Sequence, residues 1–91
     1  MIKSDLEKRY FALGNELPKI HTDLKFQNHC YWRIALDCVT GDRWNNRLEA
    51  PAYKNLETIQ LLKVIECLES YKTDRNQLLV DNKKSLGYRK K

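Results

Sequence analysis

The sequence predicts an all-α fold, a small bundle of three to four helices with the helix at 29–40 at its centre. Three observations carry this expectation. Apolar residues recur at helical spacing in several segments, no stretch alternates with a period of two, and one segment near the middle is apolar almost all round. The chain has 91 residues, the size of one domain. A single helical domain over 1–91 is expected, ending in a basic tail at 82–91. With 42% hydrophobic and 32% charged residues, the composition is too apolar for a disordered chain and too polar for a membrane protein.

The first helix is expected over about residues 5–16. Ser4 and Glu7 have capping-box spacing, and Leu6, Tyr10, Leu13 and Leu17 recur on one face with Phe11 beside them. Gly14-Asn15 weakens its end, and Pro18 forbids continuation because it lacks an N–H and its ring meets the preceding turn. Residues 19–27 read as a connector anchored by Phe26. Asn28 is a good N-cap and Gly41 a good stop for the second helix, at 29–40. At about 100° per residue, His29, Arg33, Asp37 and Thr40 share one narrow wedge, and apolar residues fill the rest of its surface. The neighbouring helices are therefore expected to wrap this helix and leave one strip open.

Residues 42–55 show no period. They hold Trp44, Leu48 and Tyr53 among polar residues, and Pro51 pushes Ala50 out of helical geometry. A connection this long in so small a domain is either pinned by its aromatics or functional. Asn55 is the expected cap of a third helix, with Glu57 in its first turn and an apolar face of Leu61, Leu62, Val64, Ile65, Leu68 and Tyr71. A turn near Lys72-Thr73, with Thr73 as cap, would start a fourth helix carrying Leu78, Leu79 and Leu86. The alternative is one long helix from Leu56 to Leu86. Gly87 ends either version.

Several chemistries lack their residues. The N-terminus places Asp5 and Glu7 where a signal peptide would be apolar. Three cysteines without a secretory signal point to free thiols in a reducing cytoplasm. His21, His29, Cys30, Cys38 and Cys67 offer no close ligand pair of the kind zinc sites use, and Cys30 and Cys38 would lie about 12 Å apart along one helix. No metal or other cofactor is expected. His29 and Cys30 are adjacent and so diverge on a helix. No phosphate-binding or nucleophile-elbow motif occurs. An enzyme is not expected.

Two surfaces remain as candidates. The first is the His29–Arg33–Asp37 edge together with the aromatics Trp44 and Tyr53. An arginine on a mostly buried helix suits an acidic or planar partner, and aromatics left at a surface make an interaction patch. The competing account pairs Arg33 with Asp37 at i,i+4 on the solvent side and buries the aromatics as core. The second surface is the tail. Lys83, Lys84, Arg89, Lys90 and Lys91 give it five positive charges and no acid, leaving 12 basic against 12 acidic residues over 1–81. The body is neutral and the basicity sits at one end. The leading expectation is a non-enzymatic interaction protein that binds a protein partner or itself, most simply as a dimer. The alternative is a nucleic-acid accessory protein whose basic C-terminal helix makes weak, sequence-independent phosphate contacts. No membrane partner is expected.

At His29-Cys30-Tyr31-Trp32-Arg33-Ile34-Ala35-Leu36-Asp37, then Gly41-Asp42-Arg43-Trp44 and Pro51-Ala52-Tyr53-Lys54, the chain resembles a group of very short bacterial proteins of prophages, plasmids and integron gene cassettes. The likeness runs from about Phe26 to Arg89. Some members of the group carry an acetyltransferase label. This chain has neither the acetyl-CoA pyrophosphate loop nor the length for that fold, so the label does not carry over. The resemblance implies a mobile-element accessory protein and supplies no catalytic residues.

Overall fold

The computed structural model describes residues 2–49 and 51–89, and every described element is helical. α1 runs over Lys3–Ile20, and a short 3-10 turn follows at Thr22–Leu24. α2 spans Asn28–Thr40. Two single turns, α3 (Trp44–Arg47) and α4 (Ala52–Asn55), occupy the long connection. α5 (Thr58–Tyr71) and α6 (Arg75–Tyr88) complete the chain. The all-α bundle expected from periodicity is the observed fold, with four long helices and two single turns. Its Cα radius of gyration of 12.3 Å matches the roughly 12 Å of a compact body this long.

α2 packs against α1, α5 and α6, and α1 lies along α5. The all-round apolar helix is thus the one the others surround. Tyr31, Ile34, Ala35 and Leu36 of α2 are buried against Leu6, Tyr10, Leu13 and Leu17 of α1 and Leu61, Val64, Ile65, Leu68 and Tyr71 of α5. Cys38 of α2 is half-buried; its thiol donates to the Asp81 carbonyl at 3.6 Å. Phe26 anchors the 21–27 connector by an edge contact with Tyr31, with ring centroids 5.7 Å apart.

The helix ends differ from the sequence reading in instructive ways. α1 starts at Lys3, so Ser4 lies inside the first turn and makes no cap; the Ile2 carbonyl accepts from Asp5 and Leu6 instead. Pro18 sits within α1 rather than ending it. Its ring removes one hydrogen bond, to the Gly14 carbonyl, but the last turn is held by the fully buried Leu17, whose carbonyl accepts from His21 at 3.0 Å. Asn28 begins α2 without capping it, and Gln27 is the flanking residue. Gly41 does stop α2, at φ 72°, where its N–H reaches the Asp37 carbonyl. Left-handed backbone is where a glycine is needed.

Asn55 does not cap α5. It ends α4 and donates to the Glu49 and Pro51 carbonyls at 2.8 and 3.0 Å. Glu57 is the cap, in a reciprocal box with Gln60. The 56–86 stretch is two helices, broken at residues 72–74. The cap of α6 is Asp74, whose carboxylate accepts from the Gln77 N–H at 3.0 Å, and not Thr73. A carboxylate at an N-terminus also meets the positive end of the helix dipole. Gly87 lies inside α6, which runs on to Tyr88. The expected effect of Pro51 on Ala50 falls outside the described residues.

Candidate functional site

α2 does not keep an open strip. His29, at its first turn, is exposed, and Arg33 is half-buried, but Asp37 is 0% exposed. The missing wall is α6. Its Ser85 hydroxyl donates to Asp37 Oδ2 at 2.6 Å, and Arg89 grips the same carboxylate with Nε on Oδ2 (2.9 Å) and Nη2 on Oδ1 (3.1 Å). The Trp44 N–H donates to Oδ1 at 2.9 Å. A buried carboxylate is tolerated when its lone pairs are met and a cation is close; both conditions hold here. Arg33 and Asp37 therefore do not pair along the helix. Arg33 turns to Asn82 of α6, donating from Nη2 at 2.6 Å, while its buried Nε finds no acceptor among the described residues.

One consequence is a fixed position for the 42–55 connection. Asp37 holds the start of α3 through the Trp44 N–H. The Lys3 ammonium donates to the Lys54 carbonyl at 3.0 Å and ties α4 to α1. Leu56 is buried just beyond. Between these restraints α3 and α4, with the facing residues of α1 and α2, line an open cavity of about 430 Å³, within the range of small-molecule sites. Tyr10 and Phe11 of α1 and Trp32 and Leu36 of α2 form one side, and Trp44, Pro51, Ala52 and Tyr53 form the other. His29, Arg33 and Arg89 complete the lining.

The aromatic side of the cavity is a packed set. The Tyr10 ring stacks on Trp32 at 5.4 Å and on Tyr53 at 6.0 Å. Phe11 meets Trp32 and Tyr53 edge-on, at 5.6 and 4.6 Å. Trp32 Nε1 donates to the Tyr10 carbonyl at 3.0 Å, which fixes its ring. Gly14 makes room for that ring, since a Cβ there would fall 2.0 Å from Trp32 Nε1. Burial pushes the Tyr10 hydroxyl well above its ordinary range, with Tyr53 adding to the rise, so Tyr10 is neutral at physiological pH.

Four of the five residues expected at the partner-binding surface, His29, Arg33, Trp44 and Tyr53, line this one cavity. Asp37 lies behind its wall and holds Arg89 and Trp44 in place. Sequence reasoning missed Tyr10, Phe11, Leu36 and Ala52, whose apolar character reads as core, and it placed Arg89 in the tail. Of the tail, Lys83 and Lys84 are exposed on α6, Arg89 is committed to Asp37 and 25% exposed, and Lys90 and Lys91 lie outside the described residues.

The remaining candidates are dispersed. His21 is buried, with Nε2 donating to the Tyr71 carbonyl at 2.6 Å. Cys30, Cys38 and Cys67 are free thiols, and burial raises Cys38 to about 12 and Cys67 above its ordinary value. Among the described residues, no three His, Cys, Asp or Glu side chains come together as a metal site would need, and no helix is long and apolar enough to cross a membrane. No family model matches the chain, and no curated protein or solved structure matches it.

Proposed function

We propose that this protein is a non-enzymatic interaction module, an accessory factor of a mobile element, that takes an apolar anchor of a partner protein into the aromatic cavity between α1, α2 and the 42–55 connection. The observation that carries the reading is the composition of that cavity. Five aromatic rings and two arginines converge on one concavity, and among the described residues its lining contains no carboxylate, no thiol and no aliphatic hydroxyl. Aromatics and arginine are the residues that dominate binding energy at protein interfaces, and they do so from pockets that exclude water. The alternative use of the tail against phosphates has weaker support, because one of its five cations is already paired with Asp37.

The test is capture and identification of the partner by the full chain, repeated with Trp44→Ala and Tyr53→Ala. Both rings are only partly buried, so the fold should survive, as far-UV circular dichroism would verify. Truncating an anchor-binding aromatic is expected to weaken the complex by about 2 kcal/mol, roughly 30-fold. A control at the exposed Leu79 on α6 should change nothing. Light scattering on the same samples identifies the case in which the partner is a second copy. A complex indifferent to both aromatic truncations would defeat the reading.

A further inference from the structure

The cavity carries more than an apolar lining, and its chemistry narrows what would fill it. Arg33 and Arg89 both line it, yet among the described residues only one carboxylate, Asp37, lies against them, and that carboxylate is fully used by Arg89, Ser85 and the Trp44 N–H. The wall therefore holds one uncompensated positive charge, on Arg33. Arg33 donates from Nη2 to the neutral Asn82 and meets no carboxylate among the described residues; its Nε is closed off from the cavity, so the outer part of the guanidinium is what a ligand would meet. A guanidinium without a counterion presents its charge to whatever occupies the cavity, and a carboxylate is the group whose geometry and charge answer it. The rest of the lining is flat and apolar, with Trp32, Trp44 and Tyr53 around it. The exposed His29 and Pro51 mark the rim, where a longer chain would lead out to solvent.

We infer that the cavity recognises the carboxyl-terminal residue of a partner polypeptide, where that residue is aromatic: its ring between Trp32, Trp44 and Tyr53, its terminal carboxylate on Arg33. A terminal aromatic residue carries ring and carboxylate on the same unit, which suits an apolar aromatic lining with a single unpaired cation at its wall. The inference rests on the partner-binding reading above and specifies what the partner presents.

The probes are N-acetylated tetrapeptides ending in phenylalanine, as the free acid and as the amide, with 3-phenylpropionate as a free aromatic acid. Indole N–H resonances of Trp32 and Trp44 report binding to the isotope-labelled full chain. The acid peptide should give saturable shifts at both indoles. The amide should bind roughly ten- to a hundredfold more weakly, as loss of a charge-assisted hydrogen bond implies. Arg33→Met keeps the side-chain bulk and should reduce the acid peptide to the level of the amide. If that variant does not fold, the acid–amide comparison on the unmodified chain still decides. Equal binding of acid and amide, or no shift at either indole, overturns the inference. So does saturable binding of 3-phenylpropionate with none of the peptide, which would make the cavity a small-molecule site. The two readings fail separately. Acid and amide binding alike, with a partner complex still lost on truncating Trp44, removes only the carboxylate. Acid-selective peptide binding with a partner complex indifferent to that truncation removes only the partner-binding role.

Discussion

Asp37 is the side chain on which the cavity depends. Its carboxylate is 0% exposed and accepts from Trp44, Ser85 and twice from Arg89, so one residue joins α2, α3 and α6. Asp37→Asn keeps the shape but removes the charge, leaves the Arg89 guanidinium without its counterion and turns an amide N–H toward a donor. Breaking a buried pair from one side costs about 3–5 kcal/mol; with Arg89 25% exposed, the lower end is expected. A thermal melt should fall by more than about 10 °C for a chain of this size. Cys38 gives a second prediction at this scale. Burial first, and then the charge of Asp81, raise its thiol from 9.0 to about 12. Between those values the unfolded chain loses the proton and the folded chain keeps it, so the stability this group contributes is full below pH 9 and gone by about pH 12. Urea melts across pH 8–11 should show falling stability, and alkylation of Cys38 at pH 8 should be far slower in native than in unfolded protein.

Two helical glycines separate packing from propensity at the scale of the element. Alanine is favoured over glycine in a helix by about 0.8–1 kcal/mol. At Gly87 in α6 an added Cβ meets nothing within 4 Å, so Gly87→Ala should stabilise by up to that amount. At Gly14 in α1 the same Cβ falls 2.0–2.5 Å from three atoms of the Trp32 ring. The ring is tied to the Tyr10 carbonyl and stacked on Tyr10, so it has no easy escape. Overpacking of about 1–3 kcal/mol outweighs the propensity gain, and Gly14→Ala should lower the denaturation midpoint. The same contrast explains what was legible in the sequence. α2 could be read because its surface is apolar nearly all round and Gly41 supplies the left-handed stop. The single turns α3 and α4 could not, because bonds from other elements hold them: the Trp44 N–H donates to Asp37 of α2, and the Lys3 ammonium of α1 donates to the Lys54 carbonyl. Pro18 misled because a local rule ignores the buried Leu17 that keeps the last turn of α1 in place. Of the cavity, His29, Arg33, Trp44 and Tyr53 stood out as polar or aromatic residues in unusual places. Tyr10, Phe11 and Leu36 did not, because a cavity wall and a core have the same composition. The bond from Asp37 to Arg89 spans 52 residues, and no periodicity reports such a pairing.

Over the whole molecule, the charge divides unevenly between body and tail, and the structure changes what that division means. The sequence puts 12 basic residues against 12 acidic ones over 1–81 and five cations in 82–91. Arg89 belongs to the body in all but position, since it neutralises Asp37. Four tail cations remain to meet phosphates, Lys83, Lys84, Lys90 and Lys91. At about −0.9 per contact on duplex DNA, the logarithm of affinity should fall against the logarithm of salt with a slope no steeper than about −3.6, where five contacts would give about −4.5. Fluorescence anisotropy between 50 and 200 mM salt, on two unrelated duplexes, measures it. Binding should be weak and alike on both, with dissociation constants of about 10⁻⁴ to 10⁻⁶ M at physiological salt. Removing residues 90–91 should flatten the slope by about 2 and leave the melting temperature unchanged. Removing 88–91 should flatten it no further, because Arg89 makes no phosphate contact, but should lower the melting temperature by stranding Asp37 without its cation. A steeper slope that shrinks with Arg89 would mean the guanidinium leaves Asp37 for phosphate. Nanomolar, sequence-dependent binding that survives removal of 90–91 would place nucleic acid on a folded face and reverse the order of the two functions.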